Sequence, residues 1–289
     1  MPMSLSTTGL VLAANAAIDL QLHTIHSDGQ WTPEQLLNYL VREQFGLAAI
    51  TDHDRADTAV ALQQLAQTRQ LPLLVGVEMT ASWRGEMTDL LCFGFAPGPG
   101  PLNNLAQSLL RRQQENTREV YENLSRKGYA LPQSPAALAD ILAKPSAQQP
   151  HELVALLQRQ GYGQGEPSPG RVVLEAGCTF AMNDLAEVVA AAHQSGAVCL
   201  IAHPGRVDGF VTYDTQLLDQ VRQEAPIDGI EVFYPRHTPA QTAMYQEYTR
   251  QHGLLASAGS DSHGPDKPPI KYPAGLCRAL LERVGIRIA

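Results

Sequence analysis

The sequence predicts an α/β protein built on a parallel sheet, either open or closed into a barrel, and three observations carry that expectation. Short apolar runs, many of them β-branched or rich in small residues, recur at 17–22, 47–51, 73–78, 90–95, 197–202, 229–233 and 255–260. Each has the length and composition of a buried strand. Helical patterns lie between many of these runs, and strand alternating with helix implies βαβ units. The helix starts are marked as well. Thr32-Pro33-Glu34-Gln35 and Thr238-Pro239-Ala240-Gln241 each place Pro at the first helical position and Gln where a Thr capping box needs it, and Gly46 and Gly253 are the expected stops.

The segment 97–182 breaks this rhythm. It opens on Pro97-Gly98-Pro99-Gly100-Pro101, continues as a polar helical stretch over 102–126, and then becomes rich in Pro and Gln. A structureless loop of that length is rare in a compact domain. The expected organisation is therefore one domain, 1–96 and 183–289, interrupted by a mainly helical insertion or cap over 97–182.

Composition narrows the function classes. The 289 residues carry 21 Lys and Arg against 29 Asp and Glu, a formal net charge of −8, which excludes an extended basic surface for nucleic acid or anionic lipid. The four cysteines, Cys92, Cys178, Cys199 and Cys277, form no C-x-x-C pair and do not resemble a dense disulfide framework. The first seventeen residues hold no Lys or Arg, so a signal peptide is not expected. The most apolar later stretch, 186–202, is interrupted by His193, Gln194 and Ser195 and reads as helix plus strand rather than a membrane span. A cytoplasmic protein is expected.

The chemistry gathers at strand ends. His23, His53, Glu78, His203, Asp261 and His263 each fall at or just beyond the C-terminal end of one of the apolar runs, and in a parallel α/β fold those ends share one face. A lone histidine is more often a surface or core residue than a ligand. Six imidazole and carboxylate groups in one topological position instead suit a divalent-metal site with mixed nitrogen and oxygen donors. Paired glycosidase carboxylates or a cysteine nucleophile would not need so many imidazoles.

The local sequences sharpen this. Asp19-Leu20-Gln21-Leu22-His23-Thr24-Ile25-His26-Ser27-Asp28-Gly29, Thr51-Asp52-His53-Asp54, Gly76-Val77-Glu78, Ala202-His203-Pro204-Gly205-Arg206 and Gly259-Ser260-Asp261-Ser262-His263-Gly264 together resemble the PHP (polymerase and histidinol phosphatase) family of metal-dependent phosphoesterases over nearly the whole chain. The stretch from Gly229 to Thr238, with His237, is similar to the small stand-alone branch that acts on nucleotide phosphates. The resemblance implies a distorted seven-stranded (β/α) barrel with one to three divalent ions, Mn, Fe or Zn, at its mouth. It implies one ion held by Asp28, His53 and His263. A second would use the position of Gln21 together with His23, Glu78 and Asp261, and a third would use Glu78, a strand histidine and His203. The implied activity is hydrolysis of a phosphate ester of a small metabolite, such as a nucleotide or an oligonucleotide end, by metal-bound hydroxide.

Three departures accompany the resemblance. Gln21 stands for the first His of an H-x-H pair. The strand histidine falls at Leu90 by alignment, and strand alternation, which sends Asp89 to the face opposite Leu90, argues against compensation by Asp89 or Glu86. Gln149, before Pro150 and His151, replaces a substrate-facing Arg. These departures motivate an alternative reading, a degenerate member that binds metal or a phosphorylated ligand without turnover. A second alternative is an amidohydrolase-like hydrolase on the same barrel. For the main reading, Arg206 is the phosphate clamp, because a guanidinium fork matches two phosphate oxygens, and His237 and His151 are candidates to protonate the leaving oxygen or contact phosphate. Asp52 and Asp54 are expected to orient neighbouring imidazoles. His26, His193 and His252 are assigned no chemistry.

Overall fold

The structure is a computed structural model that describes residues 6–132, 135–162 and 167–289. Among the described residues the main sheet has nine strands. Seven of them form its main circuit: β1 Ala17–Asp19, β2 Leu47–Ile50, β3 Leu73–Trp83, β4 Glu86–Phe93, β5 Val198–Ile201, β6 Gly229–Phe233 and β7 Leu255–Ala258. The two-residue strands Asn183–Asp184 and Tyr272–Pro273 pair with β3 and β1 outside it. The seven neighbour one another in chain order. The circuit then turns back on itself: Leu20 N–H donates to Ala258 O, Asp261 N–H to Gln21 O and His23 N–H to Ser262 O, each at 3.0 Å. The result is an α/β fold around a nearly closed, barrel-like sheet.

Within the circuit the pairing is parallel except at β4, which runs antiparallel to both β3 and β5. This strand starts at Glu86 rather than near residue 90, and it follows β3 through the two-residue turn Arg84-Gly85. Both turn residues have positive φ, 54° and 84°, the backbone of a type I′ hairpin turn. Glu78, expected at the end of a short strand, thus lies midway along an eleven-residue one. Along β4, Leu90 and Cys92 join one apolar cluster, with Val77, Met79, Ile201 and Val232. Leu91 and Phe93 join another, with Leu74, Leu200 and Ala258. Period-two alternation therefore gives Asp89 the parity of Leu91, not of Leu90.

Helices fill the expected connections. Pro33–Arg42 and Pro239–His252 each begin with the complete Thr capping box, Thr32 with Gln35 and Thr238 with Gln241. Gly253 ends the second in the left-handed conformation, φ 62°. Gly46 does not end the first. That helix stops at Arg42, Gln44 takes the positive φ, and Gly46 instead gives Ala16 and Leu12 room to pack, since an added Cβ would meet them at 3.3–3.4 Å.

The chain divides into two compact units, one of residues 1–106 and 183–289 and the other of 107–182. The second has a core of its own, in which Val120, Leu124, Ile141, Leu153, Leu157 and Val173 meet from the end of Pro101–Arg126 and from Pro135–Leu142, Gln149–Arg159 and Pro169–Glu175. Gln149 belongs to this interior. Its Oε1 accepts from Thr117 Oγ1 at 2.9 Å and its Nε2 donates to Lys144 O at 2.9 Å, so its side chain ties helix to helix. No helix among the described residues is long and apolar enough to cross a membrane, and all four cysteines are buried free thiols.

Candidate metal centre

Closure of the sheet brings the strand-end residues into one cluster. The ring of His23 lies between two others, 4.8 Å from His53 and 4.2 Å from His263 in stacked arrangement. Its Nε2 is 3.0 Å from Glu78 Oε2 and 3.2 Å from Asp261 Oδ1, and His263 Nε2 is 3.3 Å from Asp28 Oδ1. On the far side of Glu78, its other oxygen lies 2.9 Å from His203 Nε2. All seven sequence-predicted ligands, His23, Asp28, His53, Glu78, His203, Asp261 and His263, are thus in one neighbourhood linked through Glu78 and His23.

Donor atoms fall within 4.8 Å of one another in three sets: His23 with Asp28, His53 and His263; His23 with Glu78 and Asp261; and His53 with Glu78 and Asp89. Neither nitrogen of His23, nor Nδ1 of His53, forms a hydrogen bond among the described residues, although all three atoms are buried. Buried polar atoms left without donors or acceptors are costly. Nε2 of His23, close to carboxylate oxygens of Glu78 and Asp261 yet without hydrogen-bond geometry, fits a cation, so the residues present suit the ion that their chemistry implies.

Local structure explains how each group is aimed. Asp52 accepts from Thr24 N–H, Thr24 Oγ1 and Ser27 Oγ at 2.6–2.7 Å. It thereby acts on the loop that presents Asp28 rather than on an imidazole. Asp54 Oδ1 accepts from Thr80 N–H at 3.0 Å, which ties the His53 loop to β3. His203, Asp261 and Asp54 have φ of 30°, 55° and 54°. Such backbone is costly for side-chain-bearing residues and concentrates at functional sites. Gly259 is needed for close approach, since a Cβ there would stand 2.4 Å from Gln21 Cβ and 2.6 Å from Glu231 Oε1.

The electrostatics follow from burial and neighbours. Burial pushes the carboxyl of Glu78 up, yet His53, His203 and His23 outweigh it and hold the group well below the usual range. Burial likewise opposes ionisation of Asp28, but His53, His263 and His23 keep it ionised. Asp89 goes the other way: burial, then Glu78 and Asp54, raise it well above an ordinary carboxylate. Burial also raises Glu231, whose Oε2 accepts from His203 N–H at 2.9 Å while Oε1 has no partner among the described residues.

Strand alternation argued against Asp89, and Glu231 was not singled out in the sequence. Alignment placed the strand position at Leu90, but Leu90 points into the apolar cluster beneath the helices and the Asp89 carboxylate reaches the centre, 3.7 Å from His203 Nε2. The alternation argument was sound and was applied to the wrong residue. Reading Arg84-Gly85 as a hairpin turn would have fixed the parity. Gln21 is fully buried, donates Nε2 to Glu78 Oε2 at 2.9 Å, and leaves its Oε1 without a partner among the described residues.

Arg206 lies on the turn after His203. Asp208 holds its Nε at 2.6 Å and its Nη2 at 3.4 Å, and its guanidinium sits 4.0 Å over the ring of Phe210, which meets His203 edge-on at 5.2 Å. Arg236 shares Asp208 at 3.2 Å. His237 braces the same turn: Nε2 accepts from Gly205 N–H and Nδ1 donates to Val232 O, both at 3.1 Å. Burial lowers its pKa to about 4, so at neutral pH the ring is neutral with both nitrogens occupied. That geometry suits holding the turn rather than delivering a proton. His151, in the second unit, is exposed on its helix and packs 5.6 Å from Phe180.

No family model matches the chain. The sequence is 29% identical over 252 residues, covering 85% of this chain and 94% of its relative, to a phosphoribosyl 1,2-cyclic phosphate 1,2-diphosphodiesterase of Eggerthella lenta. It is 27% identical over 275 residues, covering 89% and 95%, to a 3',5'-nucleoside bisphosphate phosphatase of Chromobacterium violaceum. Among solved structures it resembles one from Bifidobacterium adolescentis, assigned as a metal-dependent phosphoesterase, with a TM-score of 0.72 at 22% identity, over 93% of this chain and 96% of the other. The last likeness speaks for the fold.

Proposed function

We infer that the chain is a metal-dependent phosphoesterase of the PHP type, a hydrolase of phosphoric esters. The single observation that carries this is the convergence of His23, His53 and Glu78 with Asp28, Asp261 and His263 in donor sets around His23, whose two buried ring nitrogens have no hydrogen-bond partner among the described residues. The curated relatives act on phosphorylated ribosyl compounds by their names, which supports a small phosphorylated metabolite, a nucleotide or an oligonucleotide end, as the substrate. We further propose one to three Mn, Fe or Zn ions, with His23, Asp28, His53, Glu78, His203, Asp261 and His263 as ligands. The same proposal includes a distorted seven-stranded barrel of 1–96 and 183–289 with 97–182 as its helical cap, and a cytoplasmic location.

Divalent cations held there would lower the pKa of bound water toward neutrality and neutralise the phosphate's nonbridging and leaving oxygens. The protein's own residues supply the rest. Asp208 fixes the Nε–Nη2 edge of Arg206, leaving the Nη1–Nη2 edge to grip two phosphate oxygens. Gly205 and His237 set the turn that aims it. An added Cβ on Gly205 would strike His237 Cδ2 at 2.7 Å, which is why the turn needs glycine. Asp52 holds the Asp28 loop in place, and His151 remains the candidate for proton delivery to the leaving oxygen.

The test is elemental analysis of the purified protein followed by hydrolysis assays on nucleoside mono- and bisphosphates with added Mn2+ or Zn2+. Bound divalent ion and metal-dependent phosphate release are the expected outcome. No bound metal together with no activity after supplementation overturns the reading. One observation favours the alternative of a binder without turnover: the amide of Gln21 already occupies Glu78 Oε2. Tight binding of a nucleotide without phosphate release would decide for it.

A further inference from the structure

A carboxylate taken out of water needs hydrogen-bond donors or a cation. Asp19 shows the first solution in this protein. It is fully buried and accepts backbone N–H bonds from Ser260 and Ile270 at 2.9 Å and from Gln21 at 3.3 Å. Asp89 is equally sequestered, 2% exposed, and has no comparable set: its Oδ1 is without a hydrogen-bond partner among the described residues. What surrounds its carboxylate is metal-ligand chemistry. His203 Nε2 lies 3.7 Å from Oδ2 and 2.9 Å from Glu78 Oε1, and donor atoms of Asp89, Glu78 and His53 fall within 4.8 Å of one another.

We propose that Asp89 is a cation ligand, holding one divalent ion together with Glu78 and His203, so that two of the three donors in this half of the centre are carboxylate oxygens. The proposal rests on the reading of the chain as a metal-dependent phosphoesterase. Gln21 adds to it, because its amide oxygen is also buried beside Glu78 without a partner among the described residues. Carboxylate and amide oxygens suit hard ions such as Mn2+, whereas imidazole suits Zn2+. The Zn2+ preference of this position is therefore narrower than a histidine in place of Asp89 would make it.

The experiment uses full-length protein stripped of metal, titrated with Mn2+ while free ion is followed by electron paramagnetic resonance, and with Zn2+ in parallel. Asp89→Ala is expected to bind one Mn2+ fewer per chain than wild type. Asp89→Asn, which keeps the shape, should weaken that same ion about tenfold or more. Asp89→His should restore the count and raise the ratio of Zn2+ to Mn2+ affinity about tenfold. Melting of the stripped variants, expected at or above the wild-type temperature because a buried unpaired carboxylate is removed, reports on folding independently of metal. Wild-type stoichiometry and affinities in both Asp89→Ala and Asp89→Asn overturn the role of Asp89 and leave the metal centre standing. A wild-type protein that binds no divalent ion overturns both.

Discussion

The two halves of the metal cluster share one barrel mouth and differ in how they meet water. On one side the side chains of Asp28 and His263 are about a third exposed and that of His53 is 14% exposed. There imidazoles stack, and the carboxylate is held ionised by the rings around it. On the other side Glu78, Asp89 and His203 are 0–2% exposed, and the amide of Gln21 stands where the family resemblance leads one to expect histidine. The contrast teaches that exposure sets how much charge a half-site can carry unaided. Water can screen the outer carboxylate, whereas the buried Asp89 carboxylate, beside Glu78 and short of hydrogen-bond donors, is costly to ionise without a cation.

The strongest way to break this comparison is to remove the group that both halves use. Glu78→Ala is expected to lower phosphoesterase kcat by about 10^3-fold or more, as several kcal/mol of charge stabilisation are lost, and to lower the metal count beyond what loss of Asp89 does. Retention of near-normal kcat would show the two halves to be independent. A smaller change separates phosphate grip from metal. Arg206→Ala should cost about 10- to 100-fold in kcat/KM, the worth of a charge-assisted pair, with metal stoichiometry unchanged. Loss of metal along with activity would assign Arg206 to the centre itself.

The smallest effect concerns the turn that His237 braces. Its folded-state pKa, about 4, lies below the ordinary histidine value of 6.5. Below pH 6.5 the unfolded chain takes up a proton that the folded protein does not, so this stabilisation is complete above 6.5 and is lost as pH falls toward 4. Discounted for the partial exposure of the ring, the loss is about 1–2 kcal/mol. Urea midpoints measured between pH 4 and 7 should therefore fall more steeply in wild type than in His237→Gln. Equal slopes would show that the ring does not carry the pH dependence.

The outer half was readable in the sequence because each of its ligands sits in a short motif next to a strand end, and the closing contacts of β7 on β1 bring those ends together whatever the details. The capping boxes at Thr32 and Thr238 were legible for a similar reason, being local hydrogen-bond patterns. The inner half was not, because Asp89 depends on the direction and parity of β4. Those are set by a two-residue turn and by which residues the helices cover, and neither shows in a run of apolar letters from 90 to 95. Gly46 illustrates the same limit: a glycine past a helix can serve the packing of a distant segment and leave the stop to Gln44. Gln149, read as a lost substrate contact, lies in a core that only the folded insertion creates.

The Arg84-Gly85 hairpin sets more than a change of direction. The pairing of β3 with β4 runs without a bulge from Gly76–Phe93 to Trp83–Glu86, so insertion or deletion of one residue at the turn would slide β4 by one place and exchange the partners of every position along it. Leu90 would then face the His and carboxylate cluster, and Asp89 the apolar one. The residue count between Trp83 and Glu86 therefore does the work of a side chain, since it decides which face of β4 meets the His and carboxylate cluster.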